Sequence, residues 1–317
     1  MDTRRLLVDS AERIFSDYCD MSLWDLAENG VFPTDLWRRL EENGFHELAM
    51  KDGGTDLGDA FAVLKVAGSY AVPLPLSEIL LGNRWLGSSD NLPSVGLHHN
   101  GHVVEVPWGR EVKVILGLCE GTSVVTVVRA KVSLDLAVNL AGEPRDKVVS
   151  WENEETLTLD EDPYTLLALA RVVQMAGGIE RVLDLSLQYA NEREQFGRPI
   201  ARFQAIQHNL AVLAGETAAA TRAADAAVDA IGDERFALEV AAAKSRVGET
   251  VGVVAEIAHQ IHGAMGFAHE HQLHHFTRRL WAWRDEFGNE FAWQQRLGQE
   301  LCDRGADGLW DFLATRG

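Results

Sequence analysis

The segment Ala190–His208 has residue types suited to binding a phosphorylated ligand. It joins two long segments of helical apolar periodicity, and Arg193 falls at the turn between them. A guanidinium at such a turn can form a bidentate contact with a diphosphate. The simpler alternative is a surface ion pair of Arg193 with Glu192 or Glu194, as is common for charged residues in turns.

A second segment, Gln260–Phe267, could serve the same chemistry. It contains Gly263 and Gly266, and glycines let backbone amides approach a phosphate because they have no Cβ. The simpler alternative is an ordinary turn that ends a helix. The two segments together are more specific than either alone.

Both segments resemble the flavin-binding motifs of the acyl-CoA dehydrogenase family. The first family motif reads Tyr-Ala-x-x-Arg-x-x-Phe-Gly-x-x-Ile-x-x-x-Gln, and the residues at its positions are Tyr189, Arg193, Phe196, Gly197, Ile200 and Gln204. The second reads Gln-x-x-Gly-Gly-x-Gly-Tyr/Phe and matches Gln260–Phe267, with Ala264 in place of the second glycine.

The resemblance implies FAD as the cofactor, shared with an adjacent subunit. The adenosine diphosphate half would contact Arg193, Gln195, Phe196 and Gln204. The second motif would surround the phosphates and adenine through Gln260, Gly263 and Ala264, where Ala264 departs from the family's second glycine.

The resemblance also locates the catalytic base, which removes the α-proton of an acyl thioester. In most family members this base is a Glu followed by Gly-Thr. Counting from the second motif places Phe287 at the base position, followed by Gly288, with Asn289 at the cofactor-contacting Thr position. A minority of members have the base just before an Arg that corresponds to Arg171, and that position is Ala170. Neither residue can accept a proton.

Glu286 is the nearest alternative base. On a loop, a slip of one residue could bring its carboxylate into the site, whereas on a helix it would turn away by about 100°. Asp285 more simply pairs with Arg278 or Arg284.

The histidines of His269–His275 have spacings that could bind a metal ion on one helix face. A solvated turn is the preferred interpretation, and no metal site is predicted.

The elements that position these residues follow an α–β–α order. Residues 1–88 are predicted to be a helical domain, 89–160 a small β domain rich in β-branched residues, and 161–317 a bundle of long helices. This mostly helical α+β order is that of the acyl-CoA dehydrogenase fold. The family's Thr-Glu-Pro-x-x-Gly-Ser-Asp segment, which lines the flavin ring, has no counterpart before residue 100.

Particular residues set the predicted bounds of single elements. Pro33 and Gly44 mark the start and stop of an N-terminal helix, and Asp162 caps a helix that begins at Pro163. Further helices are predicted at 58–70, 77–86, 201–231, 233–262, 272–285 and 290–315, and strands at 102–106, 112–116, 123–128 and 131–136.

Composition narrows the classes of function. The 317 residues carry a formal charge of −19, which argues against nucleic acid, because phosphate binding there needs clustered Lys and Arg. The three widely separated cysteines suggest neither a disulfide framework nor a thiolate metal site. The sequence shows no signal peptide and no apolar run that could span a membrane, so a cytoplasmic protein is expected.

The retained cofactor motifs and the missing base resemble the degenerate subunit of actinobacterial α2β2 acyl-CoA dehydrogenases of steroid degradation. By this resemblance, a paralogous subunit supplies the catalytic Glu, the substrate is a bulky acyl-CoA, and an electron-transfer flavoprotein or a similar acceptor reoxidises the FAD. Two alternatives stay open: a self-sufficient homo-oligomeric dehydrogenase that uses Glu286, and a flavin-free scaffold subunit.

Overall fold

The N-terminal part is built from five helices. The computed structural model describes residues 3–129, 132–305, 307, 308, 310 and 314. The helices are α1 (Thr3–Tyr18), α2 (Met21–Glu28), α3 (Thr34–Glu42), α4 (Leu57–Ser69) and α5 (Leu76–Leu86). Pro33 immediately precedes α3 and Gly44 follows it with a φ of +73°, so both predicted boundary signals are confirmed.

A mixed seven-stranded sheet follows α5. Its strands are β1 (Pro93–His99), β2 (His102–Pro107), β3 (Val114–Leu118), β4 (Val124–Arg129), β5 (Val132–Asp135), β6 (Arg145–Trp151) and β7 (Glu154–Thr158). They are ordered β5-β6-β2-β1-β3-β4-β7, and β1 pairs with β3 in parallel while the other neighbours are antiparallel. The four predicted strands are all present, with ends shifted by one or two residues. The first residue of the fourth, Lys131, lies outside the described residues.

Five more helices form the C-terminal bundle. They are α6 (Pro163–Glu192), α7 (Gln204–Asp229), α8 (Phe236–His262), α9 (Leu273–Asp285) and α10 (Glu290–Arg304). The side chain of Asp162 accepts hydrogen bonds from the first turn of α6, so the predicted cap is confirmed. The predicted helix at 290–315 begins at Glu290, and much of its C-terminal part falls on residues outside those described.

Two glycines bring the backbones of α4 and α6 into close contact. A Cβ added to Gly177 would come within 1.9 Å of the carbonyl oxygen of Lys65, and one added to Gly68 within 2.0 Å of that of Gln174. The small residues on one side of α7 are exposed in this chain: Ala211, Ala214, Gly215 and Ala218.

Among the described residues, no helix combines the length and the apolar character that crossing a membrane requires.

Candidate functional site

The first motif forms a tight hairpin between α6 and α7. Its strands are β8 (Glu194–Gln195) and β9 (Arg198–Pro199), joined by Phe196 and Gly197 with φ values of +53° and +78°. Two consecutive positive φ values are typical of the turn that connects two-residue hairpins. The turn holds the Phe196 side chain in solvent, where it is 92% exposed.

The two motifs meet at one end of the bundle. Ala190, Ile200 and Ile261 form a small apolar cluster between the end of α6, the start of α7 and the end of α8. The rings of Tyr189 and His262 stack with their centroids 4.4 Å apart. The structure therefore brings together most of the predicted cofactor contacts, which are Arg193, Gln195, Phe196, Gln204, Gln260, Gly263 and Ala264.

The polar side chains at this end are free to bind a ligand. The side chains of Arg193, Gln195, Gln204 and Gln260 are exposed, and no hydrogen bond or ion pair to another described residue holds them. The alternative ion pair of Arg193 with a neighbouring glutamate is thus not formed.

Gly263 ends α8 with φ +58° and ψ −140°, a conformation that residues with a Cβ rarely adopt. A Cβ there would meet no atom within 4 Å, so the backbone faces open space. The amide of Gly263 itself donates to the carbonyl of His259, so the fit to a phosphate-bearing ligand depends on the exposed side-chain donors beside this turn.

Asn289 does not join this group within one chain. Its side chain caps α10 by accepting a hydrogen bond of 3.1 Å from the amide of Ala292. The next residue, Glu290, packs against Gly248, about four helical turns or roughly 20 Å before Gly263 along α8. A ligand that contacts Asn289 and Gly263 of the same chain would have to span roughly 20 Å. A shorter ligand could contact Asn289 of one chain and Gly263 of another.

Both residues at the family's base positions are buried and apolar. Ala170 is fully buried in α6. Phe287 has a φ of +54°, and the guanidinium of Arg171 lies 5.5 Å from the centroid of its ring. The ring of Tyr164 approaches Phe287 edge-on. The prediction that neither side chain can accept a proton agrees with these surroundings.

Glu286 lies beside Phe287 but is held by two arginines. Its carboxylate accepts hydrogen bonds from Nε of Arg145 at 2.8 Å and from Nε of Arg171 at 2.5 Å. Burial raises the pKa of Glu286, but the two guanidinium groups outweigh this effect and hold the pKa at about 2. Such a carboxylate is a weak base at neutral pH.

The ion pairs extend through the centre of the molecule. Arg171 also binds Glu78 of α5, and Arg145 of β6 also binds Glu143 at 3.2 Å. Lys244 of α8 donates a hydrogen bond of 2.7 Å to the carbonyl of Arg284 and so holds the end of α9 that carries Glu286. Sequence reasoning missed Glu78, Arg145 and Lys244. The only sequence signal is a charged residue within an otherwise apolar helical segment, as for Glu78.

Very little space remains beside Phe287. The cavity there measures about 10 Å³, room for about one water molecule, and is lined by Gly96, Leu97, Glu105, Arg171, Glu286 and Phe287. Glu105 lies at a bulge of β2 with a φ of +55°. Glu105 is exposed overall, but partial burial of its carboxyl group, followed by the negative charge of Glu286, raises its pKa. Glu105 could not be identified from the sequence, because its position depends on the bulge. An acyl group does not fit in this cavity.

Comparison with known proteins identifies relatives of the C-terminal part and of the whole chain. Residues 165–288 match the family model described as "Acyl-CoA dehydrogenase, C-terminal domain". The chain is 27% identical over 272 residues to acyl-CoA dehydrogenase IpdE2 of Mycobacterium tuberculosis, which covers 80% of this chain and 82% of that protein.

Solved structures share the fold over almost the full length. A variant of the Tcur3481–Tcur3483 steroid ACAD has a TM-score of 0.85 at 20% identity and covers 96% of this chain and 98% of that one. A chain of the ChsE4–ChsE5 complex from Mycobacterium tuberculosis has a TM-score of 0.80 at 20% identity, with 96% and 99% covered.

Proposed function

Because this chain belongs to the acyl-CoA dehydrogenase family, by its C-terminal domain and by its whole fold, we propose that it is the subunit of a heteromeric dehydrogenase that lacks the catalytic base. The family consists of oxidoreductases, and FAD is the cofactor. One observation carries the proposal: Phe287 and Ala170 occupy the base positions, whereas the exposed motif around Arg193 is intact.

The residues present suit the adenosine diphosphate half of FAD. Arg193 would pair with the diphosphate, Gln195 and Gln204 would donate hydrogen bonds, and the backbone at Gly263 would approach the phosphates. Phe196 offers an exposed aromatic face, which suits stacking. FAD, when bound, would accept the hydride that leaves the β-carbon of the acyl thioester. The flavin-ring segment absent from this sequence would come from the partner.

The surface around the motifs supports assembly with a partner. Phe196 of the hairpin is 92% exposed, and Met265 and Phe267 of the second motif are 45% and 71% exposed. Exposed large apolar side chains can mark an interaction surface. We infer that a paralogous subunit covers this face, and that its active site contains the Glu that removes the α-proton.

The interior of the chain also favours a substrate site in the partner. The network of Arg171, Glu78 and Glu286 fills the space beside Phe287 and leaves a cavity of about 10 Å³. Removing one member of a buried ion network is costly, so the network is not expected to open for an acyl chain. The acyl group would therefore bind mainly in the partner.

The proposed substrate is a CoA thioester of a bulky acid, of which a steroid-derived acid is the leading example. Its support is the fold shared with a protein described as a steroid ACAD. We further propose that electron-transfer flavoprotein or a similar acceptor reoxidises the FAD. We also propose that the chain has three domains, which comprise residues 1–88, 89–160 and 161–317.

Co-expression tests the proposal directly. The chain would be purified alone and together with an acyl-CoA dehydrogenase paralogue that has an intact Glu-Gly-Thr, and the visible flavin absorption per mole of protein would be measured. We expect little flavin in the single chain, and both flavin and CoA-thioester-dependent dye reduction in the complex. Stoichiometric flavin in the homogeneous single chain would contradict the proposal.

A further inference from the structure

A fully buried imidazole lies between α2 and α9 with one nitrogen unpartnered. His275 is 0% exposed, which contradicts the expected solvated turn for this residue. Its Nδ1 lies 3.1 Å from Oε1 of Glu28, whereas its Nε2 has no hydrogen-bond partner. Buried polar atoms in proteins are nearly always paired, so this nitrogen requires an explanation.

The unpartnered nitrogen faces the carboxylate of Asp25. Nε2 of His275 lies 3.8 Å from Oδ1 of Asp25, and Nε2 of His269 lies 3.5 Å from Oδ2 of the same residue. Neither distance is that of a good hydrogen bond. Both are close to the separation of about 3.4 Å between two ligands on one tetrahedral zinc ion with bonds of about 2.0–2.1 Å.

The surrounding charges leave Asp25 available for a cation. Arg278 and Arg279 are both bound by Glu28, at 2.8 and 3.0 Å, and Arg279 also lies 3.3 Å from Glu143. Within the described part of the chain, Asp25 pairs with no lysine or arginine. Its negative charge faces only imidazoles, which are neutral when they bind a metal ion.

Glu28 sets the orientation that a metal ligand needs. When Nδ1–H of His275 donates to Glu28, the lone pair of that imidazole is at Nε2, on the side of Asp25. A carboxylate behind a metal-binding histidine is the usual outer partner in such sites, because it fixes the ring and raises its basicity.

We propose that His275, Asp25 and His269 bind a zinc-class divalent cation through Nε2, a carboxylate oxygen and Nε2, with water as the fourth ligand. Two imidazoles and a carboxylate are a ligand set that zinc prefers. The ligand atoms of Asp25, Glu28 and His275 lie within 4.8 Å of one another, whereas His269 lies outside this group. Because His269 is 74% exposed in the segment before α9, its side chain can move onto the ion. The ion links α2 to α9.

The test uses the full chain and zinc itself as the probe. The chain is stripped with a chelator, and zinc binding is measured by competition with a chromophoric chelator in wild type, Asp25→Asn, His269→Gln and His274→Gln. His274 is the matched control, because it is adjacent to His275 but its Nδ1 contacts the carbonyl of His271 at 2.7 Å. Cobalt replaces zinc in a second measurement, in which visible absorption reports tetrahedral coordination.

We expect one zinc ion per chain in wild type and in His274→Gln. Asp25→Asn and His269→Gln should each bind at least about tenfold more weakly, since loss of even an outer partner costs about 10–100-fold. The proposal is overturned if wild type binds no stoichiometric zinc, if Asp25→Asn binds as wild type does, or if His274→Gln loses as much affinity as the two ligand variants. Thermal unfolding in chelator, compared among the variants, identifies any that fail to fold.

Discussion

Glu286 and Phe287 are adjacent residues with opposite environments. The backbone of Glu286 is extended at the end of α9, which directs its carboxylate to Arg145 and Arg171. Phe287 has a positive φ, and its ring lies against the guanidinium of Arg171. The charge at this point of the chain is therefore committed to ion pairs, and the base position itself is apolar.

Replacing Glu286 with Gln should change turnover of the folded, assembled complex by less than about threefold, because the general base, which contributes about 10²–10⁴-fold, is expected in the partner. The measurement is steady-state reduction of an artificial acceptor with a CoA thioester. Replacing the partner's Glu is the positive control and should reduce turnover by about 10²–10⁴-fold. A comparable fall for Glu286→Gln, with flavin and fold intact, would instead assign the base to this chain and favour the homo-oligomer.

Arg193→Ala should weaken FAD retention by the complex roughly tenfold to a hundredfold, since a charge-assisted contact contributes about 1.5–3 kcal/mol. The measurement is the rate and extent of flavin loss on dilution. Arg222→Ala is the control, because Arg222 is an exposed arginine of α7 whose one ion pair with a described residue is to Asp225 of the same helix. Unchanged retention in Arg193→Ala would show that the motif does not bind FAD here.

At the scale of elements, glycines decide how closely α4 and α6 approach. Gly68 and Gly177 lie where each helix crosses the backbone of the other, and neither position has room for a methyl group. Gly215 of α7 differs, because a Cβ there meets no atom within 4 Å. Glycine therefore has a packing role in α4 and α6, whereas Gly215 of α7 has none within this chain.

Gly177→Ala should lower the free energy of unfolding by about 1–3 kcal/mol or more, because an extra methyl group would force the two backbones apart. Gly215→Ala, its control, should raise it by about 0.5–1 kcal/mol through helix propensity. Urea unfolding followed by circular dichroism measures both. A Gly177→Ala chain as stable as wild type would show that the crossing is looser than this structure has it.

At the scale of the whole molecule, buried charges join parts that are distant in sequence. Glu78, Arg145, Arg171 and Glu286 come from α5, β6, α6 and the end of α9. The pKa of Glu286 is about 2, and so is that of Glu28, where burial is outweighed by hydrogen bonds from His275 and the charges of Arg278 and Arg279. The stability of the molecule should therefore depend on acid pH.

Both folded pKa values lie below the ordinary glutamate value of about 4.3, so the unfolded chain binds more protons in this range. The stabilisation is present above about pH 4.5 and is lost as pH falls to about 2, on the order of 3 kcal/mol for Glu286. Urea unfolding across this range should show the decline. In Glu286→Gln, the free energy of unfolding should depend less steeply on pH. At neutral pH it should be lower than in wild type by about 3–5 kcal/mol, because the buried arginines lose a negative partner. A stability independent of pH below 4.5 would contradict the ion pairing.

Local patterns in the sequence were enough to predict the helices and the β region. Apolar periodicity, capping residues such as Asp162 and β-branched runs act within a few residues, so they can be recognised without a fold. The resemblance to a known family, and not a local pattern, led to the prediction of the cofactor contacts and the base positions.

The pairing of charges was decided by the tertiary structure alone. Glu286 is 115 residues from Arg171 and 141 from Arg145, and His275 is 247 from Glu28. No local pattern encodes such distances, because the free energy of a buried charge depends on which partner the fold brings to it. The tertiary structure also decided the burial of His275, which depends on the packing of α9 on α2. It likewise decided the position of Asn289, which lies about 20 Å from Gly263, although both were predicted cofactor contacts.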